Sequence, residues 1–172
     1  MRRAAALLAL LAAGCAGQSA QNWLEEGNRF FDTGDPQGAV RAYSSAIDVD
    51  PGFSQAWNNR GLAKAQLGDL VGAHADYAEA IRLGPSAAEA HYNRGVVYLQ
   101  TQDAYRAIAD FSDALRLQPE YPRALAGRGL ARAKVGDKTG AADDFKKALE
   151  LSSPDWPERT RVEAELARLS GK

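Results

Sequence analysis

The sequence predicts an all-α solenoid, four helix-turn-helix units over 20–155 closed by a C-terminal helical segment over 156–172. Three observations predict it. Glycine recurs every 34 residues at Gly27, Gly61, Gly95 and Gly129, and alanine keeps the same step at Ala39, Ala73, Ala107 and Ala141. Within each unit apolar residues follow helical spacing, as in Ala107, Ile108, Phe111, Ala114 and Leu115, which share one stripe of a helix. The composition, 45% hydrophobic and 25% charged over 172 residues, supplies enough apolar material for a sizeable core.

The four units are 20–53, 54–87, 88–121 and 122–155. Further columns keep the period: Tyr43, Tyr77, Phe111, Phe145; Ala46, Ala80, Ala114, Ala148; and Asp35, Asp69, Asp103, Asp137. Gly34, Gly68 and Gly136 are placed to end a first helix in the left-handed conformation, with Gln102 standing in that column in the third unit. The aspartates that follow can cap the amides of a second helix. Pro36 suits the first turn of its helix, where a missing N–H costs nothing. Pro51, Pro85 and Pro119 close three units, and the fourth slips by one to Pro154. A single hairpin leaves an apolar face open, so the units must stack to bury it. Val162, Leu166 and Leu169 form one stripe while Arg161, Glu165 and Arg168 face water, which predicts a closing helix from Trp156 to Ser170.

Ahead of the repeats, "MRRAAALLALLAAGCAG" runs from positive to apolar to small residues, the order of an export signal. Its apolar run, Ala4 to Ala13, is ten residues long, half of the roughly 20 that a membrane-spanning helix needs. Cys15 follows Gly14 directly and resembles the lipobox of bacterial lipoproteins, with Ala12 where leucine is usual. That resemblance implies a signal peptide over 1–14, removed to leave Cys15 as an acylated first residue, and a short tether over 15–19. Multiple acylation would give a stable membrane anchor. Ala16, where some bacteria place aspartate for inner-membrane retention, favours the periplasmic face of the outer membrane. The alternatives are secretion to the periplasm after cleavage near Ala13 or Ala16, and a cytosolic chain with a misplaced start.

The 34-residue columns resemble the tetratricopeptide repeat (TPR), with its tryptophan, glycine, alanine, aromatic and proline positions. The likeness covers Ala20 to Asp155. The tryptophan column reads Trp23, Trp57, His91, Leu125, and the first-helix aromatic column Phe30, Lys64, Tyr98, Arg132. The resemblance implies a right-handed superhelix whose concave face, built from the first helices, binds an extended peptide or partner protein. That groove would be lined by Asn28, Phe31, Asn58, Asn59, Leu62, Tyr92, Asn93, Val96 and Leu99. Asparagine amides could there pair with a peptide backbone; the alternative is that they are merely solvated and that Leu62 and Val96 pack against neighbouring units. The carboxylate-clamp branch of the family is not expected, because its cationic positions fall on Leu24, Glu89 and Asn93.

Arg60, Arg94 and Arg128 precede the column glycines, and Asp76, Asp110 and Asp144 precede the aromatics; the first unit has Glu26 and Ala42 instead. Arginine and aspartate come and go together, which predicts an ion pair between the two helices of one unit; the rival is an arginine ladder for an acidic ligand. No catalytic residue is expected. His74 and His91 read as packing or surface residues, and a single cysteine with two histidines gives neither an intramolecular disulfide nor a usual zinc set, so no metal or cofactor is expected. A net charge of −1, with no basic patch, argues against nucleic acid.

The expected function is therefore a non-enzymatic adaptor at the bacterial cell envelope, anchored through acylated Cys15. It looks like small repeat lipoproteins of Gram-negative bacteria, whose known members assist type IV pilus assembly or scaffold peptidoglycan hydrolases. The alternatives are a homo-oligomeric structural protein, which exposed Trp23, Phe30 and Phe31 would favour, and an accessory to an envelope enzyme.

Overall fold

The computed structural model describes residues 18–84 and 88–171. Cys15, the leader and Pro85 lie outside the described residues. Nine helices and no strand are found among the described residues: α1 (Ala20–Asp32), α2 (Pro36–Val49), α3 (Ser54–Gln66), α4 (Leu70–Leu83), α5 (Ala88–Gln100), α6 (Ala104–Leu117), α7 (Pro122–Lys134), α8 (Lys138–Leu151) and α9 (Arg159–Leu169). None is long and apolar enough to cross a membrane. Each odd-numbered helix up to α7 packs chiefly against the helix that follows it, and each even-numbered helix against the start of the next hairpin.

Local chemistry fixes the hairpins. The carboxylates of Asp35, Asp69, Asp103 and Asp137 accept from the backbone N–H of Gly38, Gly72, Arg106 and Gly140 at 2.8–3.1 Å, each satisfying an amide that the helix start leaves open. The chain reverses before these caps through a residue with positive φ: 79° at Gly34, 82° at Gly68, 86° at Gly136 and 63° at Gln102. Gln102 alone carries a Cβ there, a cost of roughly 1–2 kcal/mol.

The periodic columns form the core. The eight alanines at 39, 73, 107, 141 and at 46, 80, 114, 148 are all 0% exposed, and Tyr43, Tyr77, Phe111 and Phe145 are the largest side chains buried beside them. Each aromatic lies on the bare backbone of its unit's column glycine: a Cβ at Gly95 would sit 2.9 Å from Phe111 Cε1, and one at Gly129 2.6 Å from Phe145 Cε1. Small residues on one helix thus make room for a ring on the other, each buried ring contributing about 2–3 kcal/mol.

The closing helix is shorter than the sequence predicts. It starts at Arg159, not Trp156, because Pro154 and Pro157 push the residues before them, Ser153 and Trp156, away from helical backbone. Its stripe does pack inward, Val162 being buried and Leu166 and Leu169 half-buried against the last core cluster. Arg159 Nη1 donates to the Leu149 carbonyl at 3.2 Å and to Ser152 Oγ at 3.1 Å, tying α9 to the open end of α8. Trp23, Phe30 and Phe31 are not the fully exposed strip that self-assembly would favour; they are half-buried against the core cluster that joins the first unit, with Leu24, Tyr43 and Ile47, to Ala56 and Ala63 of the second.

Candidate binding groove

The first helices of three units, α1, α3 and α5, carry the predicted groove residues, but the asparagines there are engaged with one another. Asn93 Nδ2 donates to Asn58 Oδ1 (3.1 Å), Asn58 Nδ2 to Asn59 Oδ1 (3.2 Å) and Asn59 Nδ2 to Asn28 Oδ1 (3.1 Å), and the Tyr43 hydroxyl also donates to Asn28 Oδ1 (2.8 Å). Burial pushes the Tyr43 hydroxyl up to about 12, so it stays a donor at neutral pH. Asn58, 8% exposed, does not present its amide to a ligand. The ladder joins three successive units: at such half-buried seams amides left unpaired would cost about 1–3 kcal/mol each, so the asparagines bind one another across the units, while Asn28, Asn59 and Asn93 remain partly exposed.

Two apolar cavities open along the first-helix face. One, about 290 Å³, is lined by Phe31, Leu62, Asn93, Val96 and Gln100 with their neighbours. The other, about 410 Å³, lies among α5, α7 and α9, with Tyr92, Val96, Leu99 and Gln100 on one side and Leu130, Trp156 and Val162 on the other. Val96 and Gln100 are the wall between them. Tyr92 is fixed by Phe111 (ring centroids 5.8 Å) and Tyr121 (5.2 Å), with the Arg123 guanidinium 5.0 Å above its ring. Leu62, 38% exposed, is the predicted groove residue most open to a partner. Sequence reasoning missed Leu130, although it shares a column with Leu62 and Val96; Trp156 and Val162 enter only through the docking of α9.

The charged columns lie within the repeats. Arg60, Arg94 and Arg128 grip Asp76, Asp110 and Asp144 through two nitrogens each at 2.7–2.9 Å. A second cation joins two of them: Lys64 reaches Asp76 and Arg132 reaches Asp144, both at 2.8 Å. Arg60 and Arg128 spend a further N–H on Ser44 and Ser112 of the preceding unit, linking hairpins as well as helices. The aspartates are only 2–4% exposed, so the arginines are occupied inside and do not form a ladder for an acidic ligand.

His91 is buried with Nδ1 3.2 Å from Asp110 Oδ1. Burial pushes the Asp110 carboxyl upward, but the hydrogen bonds from Arg94 and His91 outweigh it and hold the group below its ordinary value. His91, Asp110 and Asp113 have ligand atoms within 4.8 Å of one another; with Arg94 across both Asp110 oxygens, that donor set suits a guanidinium rather than a metal ion. His74, half-buried on α4, has Nε2 2.6 Å from the Tyr98 hydroxyl on α5. Burial and then the Arg94 charge hold its ring below the ordinary histidine value, with Asp110 opposing and Arg106 adding to the effect. The unfolded chain therefore takes up the proton more readily, so stability is full above about pH 6.5 and falls as pH drops from there toward the folded value. Chemical denaturation should show a larger loss between about pH 7.5 and 5.5 for the natural chain than for His74→Gln; equal losses would refute it.

Three family models match the chain: a tetratricopeptide repeat over 24–73, a TPR repeat over 63–102 and a tetratricopeptide repeat over 88–121. The chain carries tetratricopeptide repeats. No curated protein matches the sequence. Among solved structures it resembles MamA, at 27% identity over 77% of each chain with a TM-score of 0.72. A MamA fragment from Desulfovibrio magneticus RS-1, residue 41 to the end, superposes with TM-score 0.77 at 22% identity, over 88% of this chain and 84% of that one. A tetratricopeptide repeat protein from Parabacteroides merdae ATCC 43184 gives 0.74 at 25% identity, over 90% of this chain and 61% of that one. Tetratricopeptide repeats typically serve as scaffolds for protein–protein interaction, and the two apolar cavities open on the first-helix face.

Proposed function

We propose that the protein is a lipid-anchored adaptor of the bacterial cell envelope, which holds an extended segment of a partner protein along the first-helix face. The observation that carries this reading is the pair of adjoining apolar cavities on that face, separated only by Val96 and Gln100. A rigid stack of hairpins offers such a surface without ordering cost, since its backbone amides are already paired within helices. The leader and Cys15 support an acyl anchor at the periplasmic face of the outer membrane. Function would then be positioning: the anchor confines the adaptor to the membrane and raises the effective concentration of whatever it holds.

Crosslinked recovery from envelope membranes tests this with three chains: natural, Cys15→Ser, and Leu62→Glu/Gln66→Ala/Gln100→Ala. Leu62, Gln66 and Gln100 are all exposed, so the triple variant spares the core. The natural chain should recover a discrete partner and the triple variant roughly tenfold less of it, as expected on losing one anchoring contact. Cys15→Ser should move the protein out of the membrane fraction. Recovery of the same partner by the triple variant would sink the groove, and unchanged membrane association of Cys15→Ser would sink the anchor.

A further inference from the structure

The larger cavity exists because two columns break. Asn58 and Tyr92 are followed one period later by Ala126, and Asn59 and Asn93 by Gly127. With no side chain at 127, the bare backbone there packs directly on the buried ring of Phe111, where a Cβ would sit 2.7 Å from Phe111 Cζ, and the two together form the base of the cavity. Helix α9 then raises a far wall with Trp156 and Val162. The resulting volume, about 410 Å³, falls within the range of about 300–1,000 Å³ usual for sites that enclose a ligand.

The rim has an excess of one charge. Of its acids, Glu158 pairs with Arg123 at 3.5 Å and Glu165 with Arg168 at 2.8 Å. Lys134, in the last turn of α7, and Arg161, in the first turn of α9, are exposed and enter no ion pair among the described residues. A segment entering the cavity therefore meets apolar walls flanked by two unmatched cations.

We propose that this cavity is the specificity pocket of the groove and takes a bulky apolar side chain, aromatic or branched, flanked by acidic residues in an extended partner segment. Resting on the reading of the first-helix face as the partner's seat, it adds what the partner must carry. The apolar side chain supplies the burial. The acids set the choice of partner and the rate of encounter, as rim charges do; basic flanks would meet Lys134 and Arg161 and be rejected.

The test uses three capped heptapeptides, Ser-Gly-Asp-Phe-Asp-Gly-Ser and its Lys-Phe-Lys and Asp-Ala-Asp counterparts, against the full-length chain. The readout is the indole N–H resonance of Trp156, assigned by its loss in Trp156→Phe. The Asp-Phe-Asp probe should shift it saturably, with a Kd roughly tenfold or more below either counterpart. Lys134→Glu/Arg161→Glu should abolish that advantage and reverse the order of the Asp and Lys probes. Because both residues are exposed, folding is checked simply by unchanged resonances of Trp23 and Trp57. The proposal is overturned if no probe shifts the Trp156 signal, if all three shift it alike, or if the charge-reversed chain still prefers the acidic probe. If the Leu62 triple variant loses its envelope partner while no probe binds, the pocket assignment alone fails; if the acidic probe binds but the triple variant keeps its partner, the adaptor reading fails instead.

Discussion

Asp110→Ala should destabilise the protein by about 3 kcal/mol or more, because removing one member of a buried pair leaves the other charge without compensation. Asp110 is 4% exposed and takes two hydrogen bonds from Arg94, at 2.7 and 2.8 Å, and a contact from His91 at 3.2 Å. Truncation strands a guanidinium whose side chain is only 20% exposed, together with a buried imidazole. Replacing both charges, as in Arg94→Met/Asp110→Leu, should recover the part of the loss due to the stranded guanidinium, since apolar groups of similar volume need no partner; the part due to His91, which still lacks its acceptor, should remain. Urea denaturation near neutral pH of the two variants beside the natural chain makes the comparison. The pH dependence gives an independent check. The Asp110 carboxyl is held below its ordinary value in the folded chain, so its contribution is present above about pH 4 and lost as pH falls through the folded value. That acid limb should shrink in Arg94→Met/Asp110→Leu. A loss below about 1 kcal/mol for Asp110→Ala would mean that Arg94 finds water on truncation and that the pair is peripheral to stability.

The features that could be read from the sequence are those confined to one unit. Each arginine and its aspartate stand 16 residues apart in three consecutive units, so their joint presence, and joint absence from the first unit, points to a contact inside the hairpin. The column glycines and the aromatics they admit repeat in the same way, and so do the capping aspartates. The asparagine ladder could not be read by that logic. Its links run over 31 and 35 residues, either side of the period, and depend on how far one hairpin is rotated against the next. The larger cavity was harder still, because it comes from side chains that are missing: Ala126 and Gly127 look like ordinary small helix residues until α9 is docked opposite them. Helical apolar spacing does not mark the start of α9, because two prolines restrict the backbone of the residue before each one and delay the helix to Arg159.

Phe111→Ala should cost about 4 kcal/mol, the usual loss for a phenylalanine removed from a packed core, and should also change how the protein unfolds. Phe111 is 0% exposed and touches two units at once. Within its own hairpin it lies against Gly95, and across the junction it lies against Gly127, where an added Cβ would come within 2.7–2.8 Å of its ring. Phe145 occupies the same column one period later and meets the corresponding glycine of its own unit, Gly129, with only α9 beyond it. In a stack where each unit is stabilised by its neighbours, Phe111→Ala weakens a junction in the middle, whereas Phe145→Ala weakens the end. Hydrogen exchange of Phe111→Ala should therefore show α7, α8 and α9 opening at lower free energy than α1 to α4, and urea unfolding should broaden into two steps. Phe145→Ala, with a comparable local loss, should keep protection in α5 and α6. Uniform loss of protection along the whole chain in Phe111→Ala, with a single sharp transition, would show that the units unfold as one and that coupling does not run through this ring. Because the same ring floors the cavity beside Trp156, the variant should also lose the response of the Trp156 indole to the acidic phenylalanine probe, even at denaturant-free conditions where the remaining fold is intact.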